Sequence, residues 1–227
     1  MKNTYQIAVD GPAGSGKSSI SKLTASRLGI KYIDSGAVYR AITLFFIEKN
    51  NGSFTGDECG AFDDSFDISQ KFLSDGSSRT FLNGRDVSDD IRSEAVVKHI
   101  SKISDNAAIR NRVNCLLREW SESESVIMDG RDIGTVVFPG AQVKIFLDAS
   151  ADVRAERRVK EYGLMGKTVD VNDIKNQILI RDDQDRSREF GALKMADDAV
   201  YMDTSLMTRD DVLEKMIFII RDKAKDI

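Results

Sequence analysis

The chain reads as an α/β fold, a parallel sheet of about five strands flanked by helices. Two observations predict it. Short, nearly continuous apolar runs alternate with helix-like stretches along the 227 residues, the pattern of strands covered on both faces and joined by helical crossovers. Each apolar run also ends in a carboxylate, at Asp10, Asp34, Asp129, Asp148 and Asp203. Polar groups at those ends would project toward the crevice where open α/β sheets bind ligands.

The expected strands are Gln6–Val9, Lys31–Ile33, Ser125–Met128, Val143–Leu147 and Val200–Met202. The expected helices are Lys17–Leu28, Ala37–Asn50, Glu94–Ser121, Ala151–Tyr162, Val171–Arg186 and Arg209–Lys225. Asp148 and Asp203 read as helix caps as well as strand ends. A polar stretch, Asn51–Asp64, interrupts the pattern and is followed by Phe66–Leu73 and Arg79–Asp86. Asn83-Gly84 is a hairpin signal, because both residues tolerate positive φ. The expectation is one domain over residues 1–227 with a small, partly β insertion at about residues 62–95.

A hydrophobic share of 41% and a charged share of 31% describe an ordinary globular chain. The net charge of −4 and pI near 5.2 argue against a broad nucleic-acid surface. Arginines beside the strand ends and from Arg154 to Arg188 still permit a local anion site. No apolar run approaches the roughly 18 residues of a spanning helix, and the first residues lack a secretory pattern, so a cytoplasmic protein with no membrane partner is expected. Cys59 and Cys115 have neither metal-ligand nor redox spacing and read as reduced thiols. A single histidine, His99, precludes a multi-histidine metal site and reads as a helix residue.

The strongest signal follows the first strand. Gly11-Pro12-Ala13-Gly14-Ser15-Gly16-Lys17-Ser18 fits Gly-x-x-x-x-Gly-Lys-Ser/Thr in the strand–loop–helix setting of a P-loop NTPase. Glycines let the backbone turn tightly, aim successive N–H groups inward and approach phosphate oxygens without a Cβ in the way. The following helix directs its positive end at the same anion. Lys17 would reach the β- and γ-phosphates of a triphosphate, Ser18 would ligate Mg2+, and Gly11–Ser18 together with Ser19 would bind the nucleotide. A guanine-specifying Asn-Lys-x-Asp segment is absent, which disfavours a GTPase-type switch. A kinase instead needs a second, arginine-rich anion site for its acceptor.

Asp34-Ser35-Gly36-Ala37-Val38-Tyr39-Arg40 and the segment Asp129–Pro139, with Arg131 and Asp132, supply such a site directly after two strands. Asp129 sits where a carboxylate after a hydrophobic strand usually assists Mg2+. Together with Val9–Lys17 and Arg181-Asp182-Asp183-Gln184-Asp185-Arg186, these segments resemble bacterial-type cytidylate kinases over essentially the whole chain. The first motif is shared by many kinases; the others, in this order and spacing, are specific to that family.

The resemblance implies transfer of the γ-phosphoryl group of ATP, with Mg2+, to CMP or dCMP. It implies that Arg40, Arg131 and Arg188 hold the acceptor phosphate, that Ser101, Arg110 and Asp132 read cytosine, that Arg181 and Asp185 hold the sugar, and that Ser35 also contacts the acceptor. Lys17, Arg131 and Arg157 become the candidate catalytic residues, with Ser18 and Asp129 at the metal. The insertion would lie on the monophosphate side, and residues 154–166 would form a lid. Arg157 and Arg158 both suit the lid, the plainer reading being a charged helix paired with Glu156 or Glu161. A monomer is expected. Another P-loop small-molecule kinase and a nucleotide-sensing binding protein stand as the alternatives.

Overall fold

The computed structural model describes residues 4–52, 54–55, 66–73, 78–164 and 166–224. In chain order the strands are β1 (Gln6–Asp10), β2 (Lys31–Asp34), β3 (Ile68–Phe72), β4 (Ser78–Leu82), β5 (Arg85–Asp86), β6 (Val126–Gly130), β7 (Val143–Asp148) and β8 (Val200–Asp203). The α-helices are α1 (Lys17–Leu28), α2 (Ser35–Lys49), α3 (Glu94–Ser104), α4 (Ala107–Glu119), α5 (Ala151–Leu164), α6 (Val171–Ser187) and α7 (Arg209–Lys223). A π-type turn, Ile133–Val137, follows β6. Cys59, residues 62–65 and 74–77 of the expected insertion, and the expected helix end at Lys225 lie outside the described residues.

Five strands form a parallel sheet in the order β2-β6-β1-β7-β8. Its register brings the five aspartates to one edge: Asp34 lies beside Asp129, Asp10 is one step further along β1, and Asp148 faces Asp203. Alternation along the strands divides the core. Ile7, Val9 and Ile127 pack on the side covered by α1 and α7, with Val212, Met216 and Ile220. Ala8, Val126 and Met128 face the other side, with Val38 and Ile42 of α2, Ile103 of α3 and Val113 and Leu117 of α4. Both faces are covered, so the strands are apolar almost throughout.

A second, antiparallel sheet has the order β3-β4-β5. Asn83 and Gly84 make its two-residue turn with φ of 51° and 77°, the left-handed pair of a type I′ hairpin. Ile68 and Leu82 anchor this sheet in the α2 core. Gln70 ties it to the main sheet, accepting from the Asp34 N–H at 3.2 Å and donating to the Asp34 carbonyl at 2.9 Å.

Three local expectations are corrected. The single helix expected over Glu94–Ser121 is two helices, because Asn106 adopts an extended conformation and its Oδ1 caps α4 by accepting from the Ile109 N–H at 3.1 Å. Asp105-Asn106 are weak helix formers whose side chains compete for backbone donors. Asp148 does not cap α5; Ser150 Oγ accepts from the Val153 N–H there, and Asp148 turns back to the Ala149 N–H. Asp203 likewise binds Ser205, while Thr208 and Asp211 form a capping box at α7. Asp34 is the strand-end aspartate that caps, accepting from the Ala37 N–H at 2.8 Å and starting α2 at Ser35.

Removing the Asn106 cap should destabilise the fold modestly. Asn106→Ala is expected to cost about 1 kcal/mol, read as a lower urea midpoint at unchanged slope. An unchanged midpoint would contradict the capping assignment.

Candidate active site

The loop from Gly11 to Ser18 leaves the end of β1 with no room for a side chain at its first residue. Gly11 has φ 149°, and a Cβ there would stand 2.0 Å from the Leu147 carbonyl oxygen on β7, a backbone atom that cannot yield. Gly16, at φ 93°, leads into α1 without a side-chain cap, so the helix's first N–H groups face the loop. Lys17 is buried and donates to the Pro12 carbonyl at 2.6 Å and to Ser15 Oγ at 3.3 Å. Burial, and then the charge of Arg131, pulls its ammonium well below the usual lysine range, while Asp129 and Asp10 oppose the shift. Ser18 Oγ donates to Asp129 Oδ2 at 2.7 Å, and the buried Tyr32 hydroxyl donates to Asp129 Oδ1 at 2.5 Å. Burial and then the neighbouring Asp34 push the Asp129 carboxyl upward. Ser19 is exposed on the first turn of α1.

The top of the loop is clamped by α5 and α6. Asp182 of α6 accepts from the Ala13 N–H at 3.2 Å and pairs with Arg154 Nη1 at 2.7 Å. Arg154 of α5 donates in turn to the Ala13 carbonyl at 3.0 Å and to the Ala149 carbonyl at 2.8 Å. Both side chains are almost fully buried, so neither partner can leave without stranding the other. The sequence draws attention to both segments but does not show that Arg154 and Asp182 are partners. Arg157 braces the same loop, donating to the Ser15 carbonyl, to Thr204 Oγ1 and to the Thr204 carbonyl. Arg158 pairs with Glu161 at 2.8 Å on the exposed side of α5.

Across the cleft, the segments after β2 and β6 and the end of α6 bring four arginines together. Arg40 folds back along α2 to Asp34 at 3.3 Å, and its Nε is buried with no hydrogen-bond partner among the described residues. Arg131 Nε binds Asp185 Oδ2 at 2.6 Å, and Arg188 Nη2 binds Asp185 Oδ1 at 2.7 Å. One buried carboxylate thus fixes two guanidinium groups. Burial pushes the Asp185 carboxyl up, but Arg131 and Arg188 outweigh it and hold it below the usual range. Arg181 keeps an exposed side chain at the cleft while its head is crowded by neighbours. Desolvation, and then the like charges of Arg131, Arg40 and Arg188, lower it to about 10. Ser35 is buried beneath, donating to the Asp129 carbonyl at 2.6 Å.

Beside this cluster lies a buried ion pair. Arg110 of α4 donates to Asp132 Oδ2 at 2.5 Å and to the Ser104 carbonyl at 2.9 Å, with its guanidinium 5.3 Å from the centre of the Tyr39 ring. Ser101 is exposed on α3; the residue of this helix that meets the arginines is Ser104, whose carbonyl accepts from Arg110 and whose Oγ accepts from Arg188 at 3.1 Å. Arg188 also reaches Asp105 at 2.7 Å.

Asp10 joins the two halves. It is buried at the end of β1, and its two oxygens accept from the N–H groups of Ile133 at 2.8 Å and Gly134 at 2.7 Å. The residue that opens into the phosphate loop therefore also fixes the turn behind Arg131 and Asp132. The sequence places a carboxylate here but gives no sign of its partners, 123 and 124 residues away. Burial raises the Asp10 carboxyl to about 6, against the pull of the two N–H donors. Its folded pKa thus exceeds an unfolded value near 3.9. Asp10 is protonated in both states below about pH 4; above that the unfolded chain releases its proton first, and the stability tied to the protonated group is lost as pH rises through about 6. Wild-type stability relative to Asp10→Asn should therefore fall by up to about 3 kcal/mol from pH 4 to 7 in chemical denaturation. A difference independent of pH would contradict the shift.

Three comparisons agree with this geometry. The family model described as cytidylate kinase matches residues 7–222. A cytidylate kinase of Lactobacillus johnsonii is 43% identical over 225 residues, covering 97% of this chain and 96% of that protein. One of Thermosipho melanesiensis is 38% identical, covering 97% and 98% respectively. Among solved structures, an uncharacterized protein from Eubacterium ventriosum superposes over 97% of this chain and 99% of its own with a TM-score of 0.52 at 13% identity, a likeness of fold alone. With its phosphate loop, arginine cleft and full-length similarity, the chain belongs to the cytidylate kinase family.

Proposed function

We propose that this chain transfers the γ-phosphoryl group of ATP to CMP or dCMP, giving ADP and CDP or dCDP. The observation that carries the reading is the cleft itself, with a triphosphate loop on one wall and four arginines on the other. Arg40 supports it further, because a buried donor without a protein partner costs about 1–3 kcal/mol unless an anion or water satisfies it.

The attacking atom is an oxygen of the acceptor phosphate. A phosphomonoester with a second pKa of about 6 is largely dianionic near neutral pH, so no general base is required. What must be overcome is repulsion between two anions that have to meet in line. Arg40, Arg131 and Arg188 hold the acceptor phosphate, and Lys17 offsets charge on the moving group. Burial disfavours the charged forms of Lys17 and Arg181, and an arriving anion would offset that cost. Ser18 and Asp129 are hard oxygen donors already in contact, which suits Mg2+, an ion bound through one or two carboxylates together with substrate phosphate. Bound there, Mg2+ would supply further charge compensation on the phosphates.

Asp132 and Arg110 read the base. Cytosine presents its exocyclic amine as a donor beside the acceptors N3 and O2, complementary to a carboxylate next to a guanidinium. Uracil would turn a carbonyl toward Asp132 instead. Arg181 and Asp185 hold the sugar, Asp185 while fixing Arg131 and Arg188, and Ser101 joins Arg110 and Asp132 in reading the base. Arg157 serves the donor side by bracing the loop. Residues 154–166 act as a lid over the donor side. The small sheet within residues 62–95 covers the acceptor side, linked to it through Gln70 and Asp34. Closure of these parts would keep water from competing for the γ-phosphate.

Lys17→Ala should lower kcat by about 10²–10³-fold, the loss typical of one charge-stabilising donor, with an unchanged circular dichroism spectrum; unaltered turnover would refute the role. Asp132→Ala should reduce the CMP-over-UMP ratio of kcat/KM by roughly 5- to 150-fold, equivalent to about 1–3 kcal/mol. Equal losses for every acceptor would show that Asp132 does not read the base.

A further inference from the structure

The Arg110–Asp132 pair is covered by backbone. Gly191 has φ 67°, and a Cβ built on it would fall 2.0 Å from Arg110 Nη2, 2.4 Å from Arg110 Cζ and 2.4 Å from Asp132 Oδ2. Ordinarily the far end of an arginine would swing away from such a clash. Here it is confined, since Arg110 is buried, bonded to the Ser104 carbonyl and to Asp132, and set over the Tyr39 ring. The covering segment is confined too. At one end Arg188 is bound to Asp185 and Asp105; at the other the Leu193 N–H donates to the Asp185 carbonyl at 2.7 Å and the Leu193 side chain is buried. The segment therefore hangs from both the side chain and the backbone of Asp185, the residue that also sets Arg131.

We infer that Gly191 is a specificity-determining residue: its bare Cα forms the wall of the base site that keeps Arg110 and Asp132 in register, an inference that rests on the cytosine reading proposed above. Any side chain at this position pushes the guanidinium and the carboxylate apart, and the paired donor and acceptor that distinguish cytosine from uracil are lost together. Because the wall shares its anchor with the phosphate-binding arginines, base recognition and phosphate placement are set by one segment.

The test separates the steric contact from backbone strain. Gly29 also has a left-handed φ, 65°, but a Cβ there meets nothing within 4 Å, so Gly29→Ala reports the strain alone. Gly29→Ala should lower Tm by strain alone, and Gly191→Ala by at least as much, since it also crowds the buried pair. Only Gly191→Ala should raise the CMP KM by about ten-fold and cut the CMP-over-UMP ratio of kcat/KM by at least about five-fold, the ATP KM staying within about two-fold. Gly191→Asn carries the same Cβ on a residue that tolerates positive φ, and it gives the same readout should the alanine variant fold poorly. A Gly191 variant that folds and keeps the wild-type CMP KM and CMP-over-UMP ratio overturns the inference. Absence of a CMP preference in the wild-type control would instead overturn the cytosine reading, so the two failures are distinguishable.

Discussion

Joining two phosphorylated molecules requires positive charge dense enough to hold both, inside a protein that must also fold when that charge faces nothing but itself. The cleft meets this constraint by giving its arginines carboxylate partners: Arg40 with Asp34, Arg131 and Arg188 with Asp185, Arg110 with Asp132, and Arg154 with Asp182. Such pairs contribute little net stability once desolvation is counted, yet losing one member is costly. Their value is positional. A carboxylate between two guanidinium groups holds their forks in fixed directions and leaves other N–H donors of Arg131 and Arg188 available. Arg181 is held below the usual arginine range first by desolvation and then by the like charges of Arg131, Arg40 and Arg188.

The parallel sheet makes this arrangement possible. Its register collects the ends of β2, β6 and β1 at one edge, so loops remote in sequence leave the sheet side by side. Asp10 and Asp129 then act as joints. Asp129 receives Ser18 from the donor loop and Tyr32 from the neighbouring strand, while its backbone receives Ser35 from the acceptor side. Asp10 performs the same service for the turn behind Asp132. The spacing between the phosphate loop and the arginine segments is thereby set by the core rather than by flexible side chains, as the proposed proximity mechanism requires.

The fold and the phosphate loop were legible in sequence because they rest on local patterns. An apolar run ending in Asp10 and the Gly11–Ser18 spacing need only neighbours to be read. Arg131 and Asp132 could be found by their place after a strand, and Arg40 by its place one turn into a helix. The partners that make them work could not. Asp182 meets Ala13 across 169 residues, and Gly191 lies directly against Arg110 of α4; neither contact leaves a periodic or compositional trace. The division of the Glu94–Ser121 helix failed for a different reason: Asp105-Asn106 are tolerated inside helices, and only the extended conformation of Asn106 turns them into a stop and a cap.

The central claim is that the arginine wall and the Arg110–Asp132 pair together define the acceptor as a cytidine monophosphate. Initial rates with ATP and Mg2+ against CMP, dCMP, UMP, AMP and shikimate, each scored by the phosphorylated product formed, test it most directly. CMP and dCMP should be turned over with kcat/KM at least about five-fold above UMP, with AMP and shikimate close to background. Comparable rates for UMP and CMP, or a preference for AMP or shikimate, would contradict it.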